Sequence, residues 1–469
     1  MAPVARAHFI GIGGSGMAGI ALVAHRRGIK VSGSDLKQSS YVQALLREGV
    51  AVSFGHDKAA LHDSEIDVVV VSTAIPESNP EYAEARRLGM RIWKRARMLA
   101  YLGEGLGVLA VSGTHGKTTT SALLATSLVR LGADPTFLVG GVVEGFSASS
   151  YAGTGPHYVV EADESDGSFV WLRPRLSIVT NIESDHLDYY EGLDEIKESF
   201  AAFLDRLTDD GLAIVCADSP GLVELTRASG KPFYSYGLSV SADVRCRVKG
   251  VREFDVVYAD GACCPHVLGS APGVHNMLNA TAVACALDWL GYDRAASAEA
   301  ISAFAGVGRR FERVGTAAGV DVVDDYGHHP TEIDATLQAA RRLGYRRVHV
   351  VFQPHRYTRT RAFMEEFASA FGSADTITLL DVYSAGEEPI PGINSEALAR
   401  AIRAHDASAD VACVASRHEL PDRVAALARP GEAVVTMGAG DVTELAPLLL
   451  AALERVGAGG DTPSALEAS

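Results

Sequence analysis

Short apolar runs, each breaking off into glycine-rich or charged sequence and each followed by an apolar period of helical spacing, recur along this 469-residue chain. Runs of that kind read as buried strands, and the periods between them as helices packed on a sheet. Residues 8–12 form the first run, followed by a helical period over 17–27 and a second strand ending at Ser34-Asp35. A strand over 66–71 and a helix–strand–helix over 81–102 complete a small unit. The rhythm resumes with a strand over 108–111, a helix over 121–131, and strands over 157–160 and 176–179. Residues 233–272 break it with short β runs and predict a small antiparallel subsheet, before a helix that opens at Gly273 and ends near Leu290. From Arg309 onward, strands over 320–323, 348–352, 376–380 and 433–437 alternate with helical periods. Such alternation predicts parallel sheets of the α/β class. The breaks divide the chain into residues 1–104, 105–308 and 309–456, with 457–469 expected to be a disordered tail rich in Gly, Ala and Ser.

Composition narrows the class without naming a chemistry. The length fits about three domains, and 47% hydrophobic with 21% charged residues gives each the means to bury a core. Net charge is −16 with Lys and Arg dispersed, which argues against nucleic acid as a partner. A phosphate-bearing ligand must therefore be held by local donors against an unfavourable overall field. The six cysteines, Cys216, Cys246, Cys263, Cys264, Cys285 and Cys413, lack C-x-x-C spacing and are expected to be reduced thiols. No signal peptide precedes the first strand and no apolar run reaches 18 residues, so a cytoplasmic protein without membrane attachment is expected.

Two glycine loops carry the first chemistry. Residues 110–120 read Ala-Val-Ser-Gly-Thr-His-Gly-Lys-Thr-Thr-Thr between a strand and a helix. Gly113 and Gly116 allow a tight turn, so that Gly113, Thr114, His115 and Gly116 cradle phosphate at a helix N-terminus, followed by Thr119. Lys117 would reach the terminal phosphates and the Thr118 hydroxyl would ligate Mg²⁺. Val111 stands where the usual pattern begins with Gly, so the loop is a shortened one; the bland alternative is a strand–turn–helix corner. Earlier, Gly11-Ile-Gly-Gly-Ser-Gly16 matches G-x-G-x-x-G, with Gly11, Gly13, Gly14, Ser15 and Gly16 at the turn and Asp35 lying 19 positions beyond the third Gly. That pattern reports a diphosphate, which NAD and UDP-sugars share.

Polar strand ends supply the other candidates. Glu161 opens Glu161-Ala-Asp-Glu-Ser-Asp166 at the end of a strand, a natural place for a carboxylate facing Mg²⁺, and His186 is a candidate for a second ion. Asp163, Glu164 and Asp166 are expected to cap turns or to stand behind the ligands. Arg356, Arg359 and Arg361 are too dense for an ordinary solvated face and suit carboxylate or phosphate recognition; a salt-bridged surface helix is the plain alternative. His328 and His329 stand open as general base, carboxylate anchor or packed structural residues.

Together these residues resemble the Mur ligase family of cell-wall synthesis, over nearly the whole chain from Gly11 to Asp441. Besides the two loops, the resemblance rests on Ser32-Gly-Ser-Asp35, Glu161 to Asp166, Thr180-Asn-Ile-Glu183 with Asp185-His186, and His275-Asn276-x-x-Asn279. It continues through Gly308-Arg-Arg-Phe311, Asp325 to Glu332, Gln353 to Arg361, Asp381 to Glu387 and Met437-Gly-Ala-Gly-Asp441. The resemblance implies a three-domain architecture: a Rossmann-like N-terminal domain for a UDP-sugar, a central P-loop ATPase-like domain, and a C-terminal Rossmann-like α/β domain for an amino acid. It implies that Asp35, His56, Ser72 and Thr73 lie near uridine, and that Lys117 and Thr118 hold the γ-phosphate and Mg²⁺, with Glu161 and His186 on metal. His275, Asn276 and Asn279 would contact adenine, and Arg310 and Asp325 would reach ATP. Tyr326, His328, His355, Arg356 and Arg359 would surround the amino acid. A carbamylated lysine, used by several family members, is not expected here.

The matching members use ATP to join L-alanine to the lactyl carboxylate of UDP-N-acetylmuramate, through an acyl phosphate. By implication this chain is a cytoplasmic ligase, a monomer or weak homodimer, whose third domain closes on the second during turnover. Three rivals stand beside it. They are a family member that attaches a tripeptide to the same sugar nucleotide, a dehydrogenase suggested by the first glycine loop alone, and a nucleotide-gated binding protein without turnover.

Overall fold

A computed structural model describes residues 3–62, 65–146, 148–187, 189–414 and 417–459. Its first sheet has five parallel strands in the order Ala51–Phe54, Lys30–Asp35, Arg6–Ile10, Val68–Val71, Ile92–Lys94. The order reverses at Arg6–Ile10, so the Gly11–Gly16 turn opens at the switch point where doubly wound sheets receive ligands. Val68–Val71 has no polar position because it is fully buried. Helix Pro80–Arg87 begins where the Asn79 side chain accepts from the Glu81 and Tyr82 amides and proline fixes the first turn.

The second sheet centres on Gly107–Ser112, flanked in parallel by Leu176–Val179 and His157–Glu161. Outward from Leu176–Val179 come Leu212–Cys216, Phe233–Gly237, Val244–Val248, Glu253–Val257 and Cys263–Val267; on the other side lie Thr136–Val143 and Ala148–Tyr151. The antiparallel run expected over 233–272 is present in its last three strands, where the Lys249 amide donates to the Glu253 carbonyl and the Tyr258 amide to the Ala262 carbonyl across successive hairpins, but it is not a separate sheet. Those strands extend the main sheet, and Phe233–Gly237 pairs parallel with Val244–Val248. Short β runs encode which face is buried but not which neighbour they pair with.

The third sheet runs Glu312–Ala317, Val320–Asp325, Ala433–Met437, Val348–Phe352, Thr376–Leu379, Val411–Cys413, parallel except for the antiparallel first pair. Phe352, Phe367 and Phe371 fill one side of its core, and Leu445, Leu449 and Leu453 the other. That last contact carries helix Leu445–Gly459 through 457–459, the first part of the segment expected to be disordered. The rest of that segment, 460–469, lies outside the described residues.

The chain forms two compact units. One comprises Met1–Arg247, Asp255–His266 and Asn279–Phe304; the other comprises Val248–Phe254, Val267–Leu278 and Ala305–Ser469. The first therefore holds most of what the sequence divides into 1–104 and 105–308. All six cysteines are free. Among the described residues, no helix is long and apolar enough to cross a membrane.

Candidate active site

In the first unit, the loop from Gly113 to Gly116 is braced by the end of the neighbouring strand. The Asn181 carbonyl accepts from the Thr114 amide at 3.1 Å, Asn181 Oδ1 accepts from the His115 amide at 2.8 Å, and the Thr180 hydroxyl donates to the His115 carbonyl at 2.5 Å. Gly113 sits at φ +130°, and a Cβ there would lie 2.1 Å from Thr180 Oγ1, so glycine is required on both counts. Helix Lys117–Arg130 starts from the left-handed Gly116 with no side-chain cap, leaving its first turn, with Thr118 and Thr119, to face an anion. Asn279 packs against Gly116, its Oδ1 being 2.9 Å from where a Cβ would stand.

Lys117 Nζ donates to the Gly113 and Thr114 carbonyls at 2.8 and 3.1 Å and to Glu164 Oε1 at 2.8 Å. Burial alone would lower its pKa, but the carboxylates of Glu164, Asp163 and Glu161 outweigh burial and hold it above the usual lysine range. The ammonium is permanently charged. Glu161 accepts from the Thr118 hydroxyl at 3.1 Å on Oε1 and from the Gly140 amide at 2.7 Å on Oε2. A hydroxyl and a carboxylate converging this closely are hard oxygen donors that suit Mg²⁺. His186, held at φ +53°, brings Nε2 to 3.4 Å from Glu164 Oε1 and 3.7 Å from Asp185 Oδ2. Asp163 and Asp166 accept from the Ser165 and Ser168 amides, the turn-capping role expected of them. Glu164 instead stands behind the candidate ligands, pairing with Lys117 and lying against His186, the other supporting role expected of it.

The first glycine loop is tied to its own sheet. The Gly11 and Ile12 amides donate to the Ser34 carbonyl, and the Gly13 amide to Asp35 Oδ2 at 2.8 Å. Asp35 Oδ1 accepts from the Lys37 amide at 3.0 Å, so this carboxylate shapes the loop. No side chain caps helix Ser15–Arg26, whose head is built from Gly14, Ser15 and Gly16. His56 Nδ1 lies 3.0 Å from Ser34 Oγ and 3.7 Å from the fully buried Glu81, while Ser72 and Thr73 follow strand Val68–Val71 at the same edge. Ser15, Gly16, Arg95, Gly140, Gly141, Glu161 and Asp163 line one cavity of about 170 Å³. The diphosphate-type loop and the metal-type carboxylate thus open on the same space.

In the second unit, Asp325 is buried. It accepts from the Phe311 and Gly327 amides at 2.7 and 2.8 Å, and burial pushes its pKa up to about 6 against the opposing pull of Arg310. It thereby pins the turn that carries Arg310, where Arg309 and Phe311 both take positive φ. Arg309 and Arg310 stand 4.8 and 5.0 Å from the Tyr326 ring centroid, and Arg310 Nη1 is 3.5 Å from Glu332. His275 lies in this electrostatic environment: burial pushes its pKa down to about 4, with Glu332 opposing and Arg310 assisting. Asn276 Nδ2 donates to the Pro272 carbonyl at 3.0 Å.

Rings follow one another beyond it. Tyr326 meets His328 at 5.3 Å, His328 meets His355 at 5.8 Å, and His355 stacks on Tyr383 at 5.5 Å. Arg359 Nη1 is 3.4 Å from His355 Nδ1, and burial together with Arg359 and Arg356 pushes the His355 pKa down to about 4. Arg356 is held at φ +67° with its amide donating to the Tyr383 carbonyl. Arg361 faces solvent, so the plain surface reading holds for that arginine. Of the histidine pair, His329 caps helix Pro330–Arg342 and packs on Phe363, whereas His328 joins the ring series. His186, Arg309, Phe311 and Arg356 all hold left-handed backbone without being glycine, each at a cost of about 1–2 kcal/mol. Asp134, Ala318 and Ala385 share positive φ, so such backbone is not confined to the candidate residues.

Three family profiles match in order: Mur ligase family, catalytic domain, over residues 6–105; Mur ligase middle domain over 111–287; and Mur ligase, glutamate ligase domain, over 309–440. The chain belongs to the Mur ligase family. Similar curated proteins include the UDP-N-acetylmuramate–L-alanine ligase of Geobacter sp. strain M21, 44% identical with 96% of this chain and 98% of that protein covered. The enzyme of the same name from Anaeromyxobacter dehalogenans strain 2CP-1 is 46% identical at the same coverage. Among solved structures, the UDP-N-acetylmuramate–alanine ligase of Thermotoga maritima superposes with a TM-score of 0.76 at 28% identity, covering 97% of this chain and 99% of its own. A murein peptide ligase from Psychrobacter arcticus gives 0.69 at 28% identity, covering 96% and 98%.

Sequence reasoning missed four contributors in this Mur ligase. Arg95, from helix Arg95–Leu102, reaches the cavity and approaches Asp163 at 3.9 Å, but nothing in its local sequence distinguishes it from other surface arginines. Thr180 with Asn181 and Tyr383 stood in quoted motifs, without a role. For Thr180, Asn181 and Tyr383 the motif was the available signal; the partner came only from the fold.

Proposed function

We propose that this Mur ligase joins L-alanine to the lactyl carboxylate of UDP-N-acetylmuramate, converting ATP to ADP and phosphate. One observation carries the reading: the Ser15–Gly16 helix head and the Glu161 carboxylate line a single cavity. A sugar nucleotide held by its diphosphate at the first loop would therefore present its acid beside the nucleotide triphosphate. The curated relatives' shared name supports alanine over a tripeptide. The Lys117 loop and arginine cluster are unexplained by a dehydrogenase, and the assembled phosphate and metal donors argue for turnover over mere binding.

A carboxylate does not acylate an amine in water, because oxide is a poor leaving group. Here the lactyl carboxylate attacks the γ-phosphorus of ATP, ADP departs, and a mixed anhydride results. The α-amine of L-alanine then attacks the acyl carbon, phosphate leaves, and the amine proton passes to solvent. Lys117 and Arg310 neutralise charge on the transferring phosphoryl group. Thr118, Glu161 and His186 would hold Mg²⁺, which supplies charge neutralisation of the bound phosphates when present. Gly113 to Thr119 cradle phosphate, and His275, Asn276, Asn279 and Asp325 serve the nucleotide directly or through the turn they hold. Asp35, His56, Ser72 and Thr73 serve the uridine end in the same sense.

Tyr326, His328, His355, Arg356 and Arg359 surround L-alanine. With Nδ1 at 3.0 Å from the Tyr326 carbonyl, the His328 ring is held in a fixed orientation and serves to orient the amine. Removing an amine proton near pH 7 costs only about 1.4 kcal/mol or slightly more, so positioning outranks base catalysis. The protein works in the cytoplasm on small molecules, apart from nucleic acid and membrane, as a monomer or weak homodimer.

The test is ADP release with UDP-N-acetylmuramate while each amino acid, and the tripeptide, is supplied in turn. L-Alanine alone should support turnover, and oxygen-18 from the sugar's carboxylate should appear in phosphate. Turnover without that label in phosphate would overturn the mechanism, and preference for the tripeptide would overturn the substrate.

A further inference from the structure

Glu164 is almost entirely enclosed, at 1% exposure, yet its carboxylate lies against two charged or chargeable groups from different strand ends. Oε1 accepts from Lys117 Nζ at 2.8 Å and stands 3.4 Å from His186 Nε2. The residue is anchored from behind, because its carbonyl accepts the Tyr190 hydroxyl at 2.5 Å, and that hydroxyl also reaches Ser199 Oγ at 3.2 Å. Oε2 is buried with no hydrogen-bond partner among the described residues. A buried ion pair gives no assured gain in stability, and apolar packing often replaces one without loss. A buried carboxylate oxygen with nothing to accept is a further cost. Stability therefore does not account for a carboxylate here, whereas its location does.

We propose that Glu164 is a positioning residue of the phosphoryl-transfer site, a single carboxylate that sets the Lys117 ammonium and the His186 imidazole in register, with Oε2 left to accept from the hydration shell of a bound divalent ion. Without it, Lys117 retains only the carbonyls of its own loop, and His186 keeps Asp185 at 3.7 Å as its remaining carboxylate neighbour in this cluster. The inference rests on the phosphate and metal assignments above and adds the group that couples them.

The test uses the full-length protein and Glu164→Gln, which keeps shape and removes charge. Mn²⁺ binding followed by electron paramagnetic resonance, in the presence of a non-hydrolysable ATP analogue, should weaken about tenfold. In turnover, kcat should fall about 10- to 100-fold while KM for the sugar nucleotide stays within about twofold. Mn²⁺ affinity and kcat both within about twofold of the parent would overturn the proposal. So would a fall in kcat with Mn²⁺ affinity unchanged, since a merely structural role predicts that result. If Glu164→Gln does not fold, Glu164→Asp keeps the charge but withdraws it by a methylene, and the same loss of Mn²⁺ affinity decides. Because Mn²⁺ binding is read without turnover, an error in the proposed reaction leaves this result standing and appears separately as absent ADP release.

Discussion

The Gly140 amide donates to Glu161 Oε2 across 2.7 Å, and the space where a Gly140 side chain would begin is already taken. A Cβ there would lie 2.7 Å from Glu161 Oε2 and 2.9 Å from the Thr118 hydroxyl. Backbone from strand Thr136–Val143 thus forms a wall of the oxygen cluster built by the end of strand His157–Glu161 and the head of helix Lys117–Arg130. Gly140→Ala should displace Glu161 or Thr118, raise the Mg²⁺ concentration needed for half-maximal activity, and lower kcat about 10- to 100-fold. A Mg²⁺ titration superimposable on that of the parent would contradict this.

Lys117 carries a permanent charge at the head of helix Lys117–Arg130. Lys117→Ala should reduce phosphate release at saturating substrates by at least about 10²- to 10³-fold, the usual cost of removing one preorganised electrostatic group. A loss below tenfold would mean the phosphoryl charge is neutralised elsewhere.

Asp35 receives the Gly13 and Lys37 amides and so holds the first loop in its turn. Asp35→Ala leaves two amides without their acceptor, a cost of about 1–3 kcal/mol each if they stay buried. The expected result is a KM for the sugar nucleotide raised about tenfold with kcat nearly retained. An unchanged KM would remove the loop from sugar-nucleotide binding.

His328→Gln should raise KM for L-alanine by about tenfold with little change in kcat, as expected for a group that orients the amine. A fall in kcat at unchanged KM, restored at high pH, would instead identify a general base.

The buried histidines give the pH dependence a definite sign. His275 and His355 each have a pKa pushed down to about 4 in the fold, against an ordinary value of about 6.5 in the unfolded chain. Between those values the unfolded state binds protons that the folded state refuses, so stability is retained above about 6.5 and lost as pH falls toward 4. Thermal melts should show this loss, and His275→Asn should reduce it by roughly 1–3 kcal/mol across the window. Parallel stability curves for variant and parent would refute the assignment.

Strands buried on both faces, such as Val68–Val71 and Leu176–Val179, were legible because a run of apolar residues between polar breaks has one economical fate in an α/β protein. The half-polar strand Glu312–Ala317 was not legible, since only its antiparallel partner Val320–Asp325 makes it a strand. Helix Leu445–Gly459 outran its expected end for a related reason: Leu449 and Leu453 are buried in the third sheet's core, and that contact is long-range. Among the proposed site residues, Gly113, Lys117 and Glu161 stood out through local spacing. Arg95 was not, because its approach to Asp163 joins positions far apart in the chain.

The amino-acid order by itself determined the layered α/β class, the positions of both glycine turns, and the residue types able to hold phosphate, metal and carboxylate. These follow from periodicity and from chemistry confined to a few consecutive residues. Only the tertiary structure decided that Glu164 meets Lys117, that Asp35 and Asp325 turn inward to hold loops, and that His328 rather than His329 joins the ring series. Each of those outcomes depends on which buried partner reaches a polar group as strands and helices pack, and a local pattern carries no record of that partner.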